Sequence, residues 1–534
     1  MATERRKARL PALALAGVIL CGVAPGAAEE PLSAIDWLSD NLAASAPFHI
    51  IGPGQDSDSG PALSGGVTDE HILVTPLGAS SDQAIGLFPA ERVGLPREFW
   101  GPTPAPELAA QVRALSADTL PAAQQAIYRI LLAEFAPPVP NIATDPGTDG
   151  NLLLARIDKL KDFGALEQAL QLIEAGARIT PEVWQRWFDI ALLLGAEDRA
   201  CSAALAQASD LSPDYAGRIF CLMQGGDWPA AMLGLQTAET LGGLTATDAL
   251  LLRRFLDAED ADIQMSRATP GETSPLQWRI LEAIGEPVYT QALPVAFAHA
   301  DLRGTAGWRA QLDAAERLTR AGALEPNRLL GLYTEARAAA SGGIWDRVRA
   351  VNALEAALAA DDDARIGNAL IRLWPLVQAA ELETAFAAIF ASRLAEVALE
   401  GSAQQVAFEM ALLAPEGTLD AGAPLPDDPR APFLSALATG TPLPAPNASM
   451  PAHAMAAAVA EGLADPPPVP ATLATRIADG ELGHAALVAL ERLAEGTAGD
   501  LRAVTEALAT LRALGLEGLA RRAAIELLIL NRTG

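Results

Sequence analysis

The stretch Gly226-Asp227-Trp228-Pro229-Ala230-Ala231 decides the fold. A glycine is followed five positions later by an alanine. The same step occurs at Gly164 and Ala169, and again at Gly195 and Ala200. The spacing from Gly164 to Gly195 equals that from Gly195 to Gly226. A fixed period of this length marks a repeated unit that cannot bury its apolar face alone and stacks on its neighbours. Between the glycines, Thr180-Pro181 and Ser212-Pro213 each place a capping side chain before a proline suited to the first helical position. Each pair precedes a repeat glycine by the length of about four helical turns. One helix therefore runs from the cap to the glycine, and a second begins beyond it. The repeated unit is a helical hairpin.

The helical pattern extends well past these three copies. From about Glu107 to Leu413, alanine, leucine, glutamate and arginine dominate, and apolar residues recur at helical spacing. The expected fold is all-α, a solenoid of stacked hairpins over residues 106–414. Ser341-Gly342-Gly343 predicts a break between hairpins, and Trp308, Trp345 and Trp374 are expected to pack between helices. Residues 29–105 read as an irregular segment. It holds one short helix from Ser33 to Leu42, with Ile35, Leu38 and Leu42 on one face. Two short strand-like runs follow, Ile72-Leu73-Val74-Thr75 and Ala84-Ile85-Gly86-Leu87-Phe88, each ending near a proline. Prolines crowd residues 415–470, which predicts a linker with one or two short helices. Residues 471–534 form a closing helical module in which the glycine-alanine step returns at Gly480 and Ala485 and at Gly515 and Ala520.

The step from Gly226 to Ala231, with Ala238 seven positions on, resembles the start of the second helix of a tetratricopeptide repeat. Gly176 and Gln207 stand at the place of Ala238 in the other two copies. Full repeats of that family are somewhat longer, at about 34 residues. The resemblance covers about residues 150–250. It implies an α-solenoid and a concave surface for partners, and names no partner. The whole chain is also similar to alphaproteobacterial secreted proteins that have been labelled antifreeze polyproteins on their alanine and proline content. No regular threonine array for ice binding occurs here, so that activity is not carried over.

The N-terminus reads as a secretory signal over residues 1–28. Arg5, Arg6, Lys7 and Arg9 precede an apolar stretch from Leu10 to Ala24, and Gly26-Ala27-Ala28 offers small residues for cleavage. The stretch is shorter than the roughly 20 residues of a comfortable membrane span. Lipid attachment at Cys21 calls for a small residue before it, and Leu20 stands there. The expected location is the periplasm of a Gram-negative cell. The net charge is −28, which disfavours nucleic acid and anionic lipid surfaces. Cys201 and Cys221 remain after cleavage. An even pair in an oxidising compartment predicts a disulfide. A turn near Asp210-Leu211 would set the two level across a hairpin. Two free buried thiols are the alternative, and a redox pair lacks a C-x-x-C motif to support it.

Motifs for catalysis are missing. The five histidines, His49, His71, His299, His453 and His484, show no metal-binding spacing. There is no nucleophile elbow, phosphate loop or dinucleotide fingerprint. Asp56-Ser57-Asp58-Ser59-Gly60 resembles the opening of a calcium loop, but Val67 occupies its twelfth position. Asp361-Asp362-Asp363 reads as a helix-capping junction. Soluble lytic transglycosylases also carry helical superhelices and use a glutamate followed by serine, and no Glu-Ser dipeptide exists in this chain. The sequence therefore points to a non-enzymatic interaction scaffold of the cell envelope that uses no cofactor or metal. The other reading is a helical binding protein for a small ligand or glycan, which predicts a closed cavity lined by Trp184, Trp187 or Trp228.

Overall fold

The computed structural model describes residues 82–138, 151–206, 214–256, 273–415, 424–448 and 450–530. The expected signal segment, the helix over Ser33–Leu42, the run Ile72–Thr75, the turn at Asp210-Leu211 and the Ser212-Pro213 cap lie outside these residues. Among the described residues the fold is all-α apart from one pair of two-residue strands.

In chain order the described helices begin with α1 (Ala105–Ala114) and α2 (Pro121–Leu132). Three hairpins follow: α3 (Leu152–Asp162) with α4 (Leu166–Glu174), α5 (Pro181–Leu194) with α6 (Glu197–Ala206), and α7 (Tyr215–Gln224) with α8 (Trp228–Leu241). Next come α9 (Ala246–Leu256), α10 (Pro275–Ala283), α11 (Ala298–Asp301), α12 (Trp308–Arg320) and α13 (Pro326–Thr334). Helices α14 (Ile344–Ala359), α15 (Asp363–Gln378), α16 (Glu383–Leu394) and α17 (Gly401–Leu413) continue the chain. Residues of the proline-rich stretch form α18 (Ala431–Thr439) and α19 (His453–Gly462). The last four are α20 (Ala471–Ala478), α21 (Leu482–Thr497), α22 (Leu501–Ala513) and α23 (Glu517–Ile529).

The strands are β1 (Phe88–Pro89) and β2 (Ala133–Glu134), paired in parallel. Of the strand-like run Ala84–Phe88 only Phe88 enters the ladder. Asp82–Ala84 is a 3-10 turn, and Pro89 has no N–H to extend the pairing. Arg156 of α3 crosses this corner fully buried. Its Nε donates to the Leu131 carbonyl at 2.8 Å and its Nη1 to the Ile85 carbonyl at 2.7 Å. Burial lowers its pKa to about 10, so the guanidinium stays charged and neutralises a knot of carbonyl dipoles.

Helix ends follow ordinary capping chemistry. The Thr180 hydroxyl accepts from the Val183 N–H, with Pro181 at the first helical position of α5. Asp362 caps α15 through the Arg365 N–H at 3.1 Å. Trp308 and Trp345 pack ring to ring with centroids 5.1 Å apart, and the Trp374 indole donates to Glu409 at 3.0 Å.

One continuous apolar core runs from Phe88 to Leu530. It is continuous because the late helices return to the first ones. α1 packs on α21, and α2 packs on α23. At that contact the Gly483 N–H donates to the Phe99 carbonyl at 2.7 Å. A Cβ on Gly483 would stand 2.5 Å from the buried Trp100 ring, so only glycine fits. The Glu526 carboxylate accepts the Ala122 N–H at 2.8 Å, at the positive end of α2. Arg522 donates to the carbonyls of Leu412, Leu413 and Ala414 and so closes the end of α17. α18 and α19 bury Phe433, Leu434, Leu437, Ala456 and Val459 in the same core. A second, smaller core lies among α5 to α10, around Trp184, Phe188, Phe220, Leu252 and Leu281.

Candidate functional site

The residues of the glycine-alanine steps occupy equivalent places. Gly164, Gly195 and Gly226 adopt φ of 79°, 72° and 80° in the turns within the three hairpins, a left-handed conformation that favours glycine. Ala169, Ala200 and Ala231 are fully buried on the second helix of each. Gly480 and Gly515 make the same turn at 83° and 75°, with Ala485 and Ala520 fully buried.

The second core is bolted by a disulfide between Cys201 on α6 and Cys221 on α7, 20 residues apart in sequence. Both cysteines are buried. Closing a loop of this length is worth about 3 kcal/mol in the chain-entropy model. The double change Cys201→Ala and Cys221→Ala is expected to lower the unfolding free energy by that amount, measured by urea titration. An unchanged midpoint would mean that the bond adds nothing to the fold.

On the outside of this second core lies an apolar surface. Among the described residues α8 packs chiefly on α7 and α9. Its inner side buries Ala231, Leu235 and Ala238. Its outer side leaves Trp228, Met232, Leu233 and Leu241 exposed, at 46%, 38%, 66% and 65% of their surfaces. Tyr215 on α7 adds a fifth exposed side chain. Among the described residues only three other large apolar side chains are as open: Tyr289, Ile371 and Leu425. The only ionisable side chain within α8 is Glu239. Its outer face therefore carries little charge, with Gln236, Thr237 and Thr240 exposed among the apolar side chains. The three tryptophans expected around a ligand do not share one environment. Trp184 is fully buried, stacked on Phe188 with centroids 4.9 Å apart, and its indole N–H donates to the Ala200 carbonyl at 2.9 Å. Trp187 is half-buried between the two cores, and Trp228 stands in the open.

A cleft of about 990 Å³ lies elsewhere, where the first helices, α12 and α21 meet. The α1–α2 loop, the end of α12 and the outer side of α21 wall it. A pocket of about 80 Å³ adjoins it, sharing Pro121, Gln124 and Arg320 with the cleft. No local motif announces this site, because its walls come from opposite ends of the chain, Asp118 on one side and Glu491 on the other.

Buried charge is organised into helix-linking networks. Glu316 on α12 is 4% exposed; it takes Arg347 of α14 in a two-pronged pair at 2.7 and 2.5 Å and the Tyr333 hydroxyl of α13 at 2.5 Å. His299 on α11 bonds the Gly164 carbonyl at 2.6 Å, which ties the α3–α4 turn to α11. Asp361-Asp362-Asp363 is spent on the junction between α14 and α15. Among the described residues, no cluster of three or more His, Cys, Asp or Glu side chains is placed to hold a metal ion. No described helix is long and apolar enough to cross a membrane.

No family model, curated protein or solved structure matches this chain.

Proposed function

We propose that the chain is a non-enzymatic interaction scaffold of the bacterial periplasm, built on tetratricopeptide-like hairpins stacked as an α-solenoid over the region of Gly164 to Leu256. The exposed apolar face of α8 carries this reading, because five of the eight large apolar side chains left open among the described residues gather on α7 and α8. Such patches are where soluble proteins bind other proteins. The common turn geometry at Gly164, Gly195 and Gly226, with its fully buried alanines, supports the repeat assignment. The partner is a protein of the cell envelope that covers Trp228 and Leu233. Its affinity comes from apolar contact around an aromatic anchor, with no cofactor.

Leu233 is two-thirds exposed, so Leu233→Asp leaves the fold within about 0.5 kcal/mol of the parent. A charge at the centre of an apolar interface weakens binding by about 2 kcal/mol or more. In-cell crosslinking of a tagged, secreted copy, read by mass spectrometry, is expected to recover one or two envelope proteins linked to residues 215–245. The Leu233→Asp copy is expected to lose them at unchanged abundance. Equal capture by both copies would remove α8 as the docking face.

A further inference from the structure

The cleft between the two ends of the chain has a chemistry unlike that of α8. Its walls present Asp118 from the α1–α2 loop, Glu381 from the α15–α16 turn, and Glu491 and Glu495 from α21. Glu491 and Glu495 are one helical turn apart, so their carboxylates share a face. Neither Asp118 nor Glu491 has a cationic partner for its carboxylate among the described residues. Glu495 has Arg492 at 3.3 Å, and Glu381 has Arg320 at 3.6 Å. Two cations line the cleft. Arg317 is spent on the carbonyls of Thr290 and Leu293 at 2.9 and 2.8 Å, and Arg320 reaches the Ala380 carbonyl at 3.1 Å. Carboxylates therefore outnumber cations in a cleft that already belongs to a strongly acidic chain, which favours a positively charged occupant.

An independent observation points to a ligand. Thr319 is 7% exposed, and its hydroxyl finds no partner although it lines the small adjoining pocket. A buried hydroxyl left unpaired carries a desolvation penalty that an incoming polar group would remove. The other pocket walls mix apolar side chains, among them Tyr128, Leu324, Pro326 and Ala385, with the polar Gln124, Gln125, Thr384, Arg320 and Arg522. At about 80 Å³ the pocket falls far below the roughly 300 Å³ of a small-molecule site and suits one anchoring side chain. Glu381, on the cleft wall, has φ of 56°, in the left-handed region where the equivalent hairpin turns use glycine. The chain thus keeps a non-glycine residue at a strained turn, and with it a carboxylate at the cleft.

We propose that this cleft seats a lysine- or arginine-bearing segment of another polypeptide. Its basic side chains lie against Asp118, Glu491 and Glu495, and one uncharged side chain enters the pocket beside Thr319. This surface is separate from the α8 face, so the chain would hold two partner segments at once.

The test uses the full secreted chain and a fluorescein-labelled Lys-Lys-Thr-Lys-Lys-Lys peptide, read by anisotropy at low salt, with a Glu-Glu-Thr-Glu-Glu-Glu peptide as counterpart. The basic peptide is expected to bind and the acidic one not. The triple variant Asp118→Asn, Glu491→Gln, Glu495→Gln is expected to weaken binding at least ten-fold. A charge-matched variant at exposed sites elsewhere, Glu396→Gln, Asp427→Asn, Glu461→Gln, is expected to weaken it less than two-fold. Thr319→Val, which replaces an unpaired hydroxyl by a methyl of similar size, is expected to keep or raise the melting temperature while weakening the peptide several-fold. Equal loss in the two triple variants would reduce the effect to the general field of an acidic protein and overturn the site. So would no binding by the folded parent, unaltered binding by the cleft variant, or preference for the acidic peptide.

Discussion

Glu316→Ala is expected to cost about 3–5 kcal/mol of unfolding free energy. The carboxylate is 4% exposed and serves three helices at once. It receives both prongs of Arg347 and the hydroxyl of Tyr333, itself fully buried. Burial, with the neighbouring carboxylate, raises the Tyr333 pKa well above its ordinary value, so the phenol remains a donor throughout the working range. Removing the carboxylate leaves a largely covered guanidinium without its counter-charge and a buried hydroxyl without an acceptor. Each of those losses carries its own desolvation penalty. Urea unfolding of Glu316→Ala beside Tyr333→Phe separates the contributions. The phenylalanine variant removes one donor and leaves the ion pair, and is expected to lose about 1–2 kcal/mol. A loss in Glu316→Ala no larger than that of the phenylalanine variant would show that the network relaxes onto water and contributes little.

His299 predicts a pH dependence of similar size. Burial lowers its pKa to about 4, against 6.5 for the exposed side chain, and outweighs the bond to the Gly164 carbonyl. The ring is therefore neutral, with the Nε2 proton donated to that carbonyl. Above about pH 6.5 both the folded and the unfolded imidazole are neutral, and the contribution is fully present. As pH falls from 6.5 towards 4, the unfolded chain takes up a proton that the fold refuses, and stability is lost. The loss amounts to roughly 3–4 kcal/mol by pH 4, below which both states are charged and this contribution is flat. His299→Gln keeps a donor for Gly164 without the titration. The difference in unfolding free energy between parent and variant, followed from pH 7.5 to 4, is expected to slope only in the window from 6.5 to 4. A flat difference there would place the ring in contact with water.

The hairpin turns were legible because a left-handed turn and a buried helix seam each favour a particular small residue. Gly164 and Ala169 therefore announce a hairpin without knowledge of what packs on it. The same logic made Thr180-Pro181 readable as a helix start. It fails at Asp361 and Glu381, which make comparable left-handed turns with side chains that no glycine rule would find. The proline-rich stretch reads as a linker with one or two short helices; what composition did not announce is that its helices at 431–439 and 453–462 bury Phe433 and Val459 in the main core. Proline at the start of α18 sits where it costs no hydrogen bond. The acidic cleft was not legible at all. Periodicity reports which face of a helix is apolar. It says nothing about which distant segment, such as the α1–α2 loop against α21, will stand opposite.

The return of the last helices to the first sets the order in which this molecule can be completed. During synthesis α1 and α2 emerge early, yet the surfaces that bury Trp100 and cap α2 belong to Gly483 and Glu526, made only as the chain nears its end. Hairpins with local contacts form quickly, while a contact spanning most of the chain waits on a large loop closure. Until α21 to α23 arrive, the early helices must keep an apolar side open to solvent and to other chains. A chain stopped short of α23 is therefore a nearly whole protein with an unsealed seam.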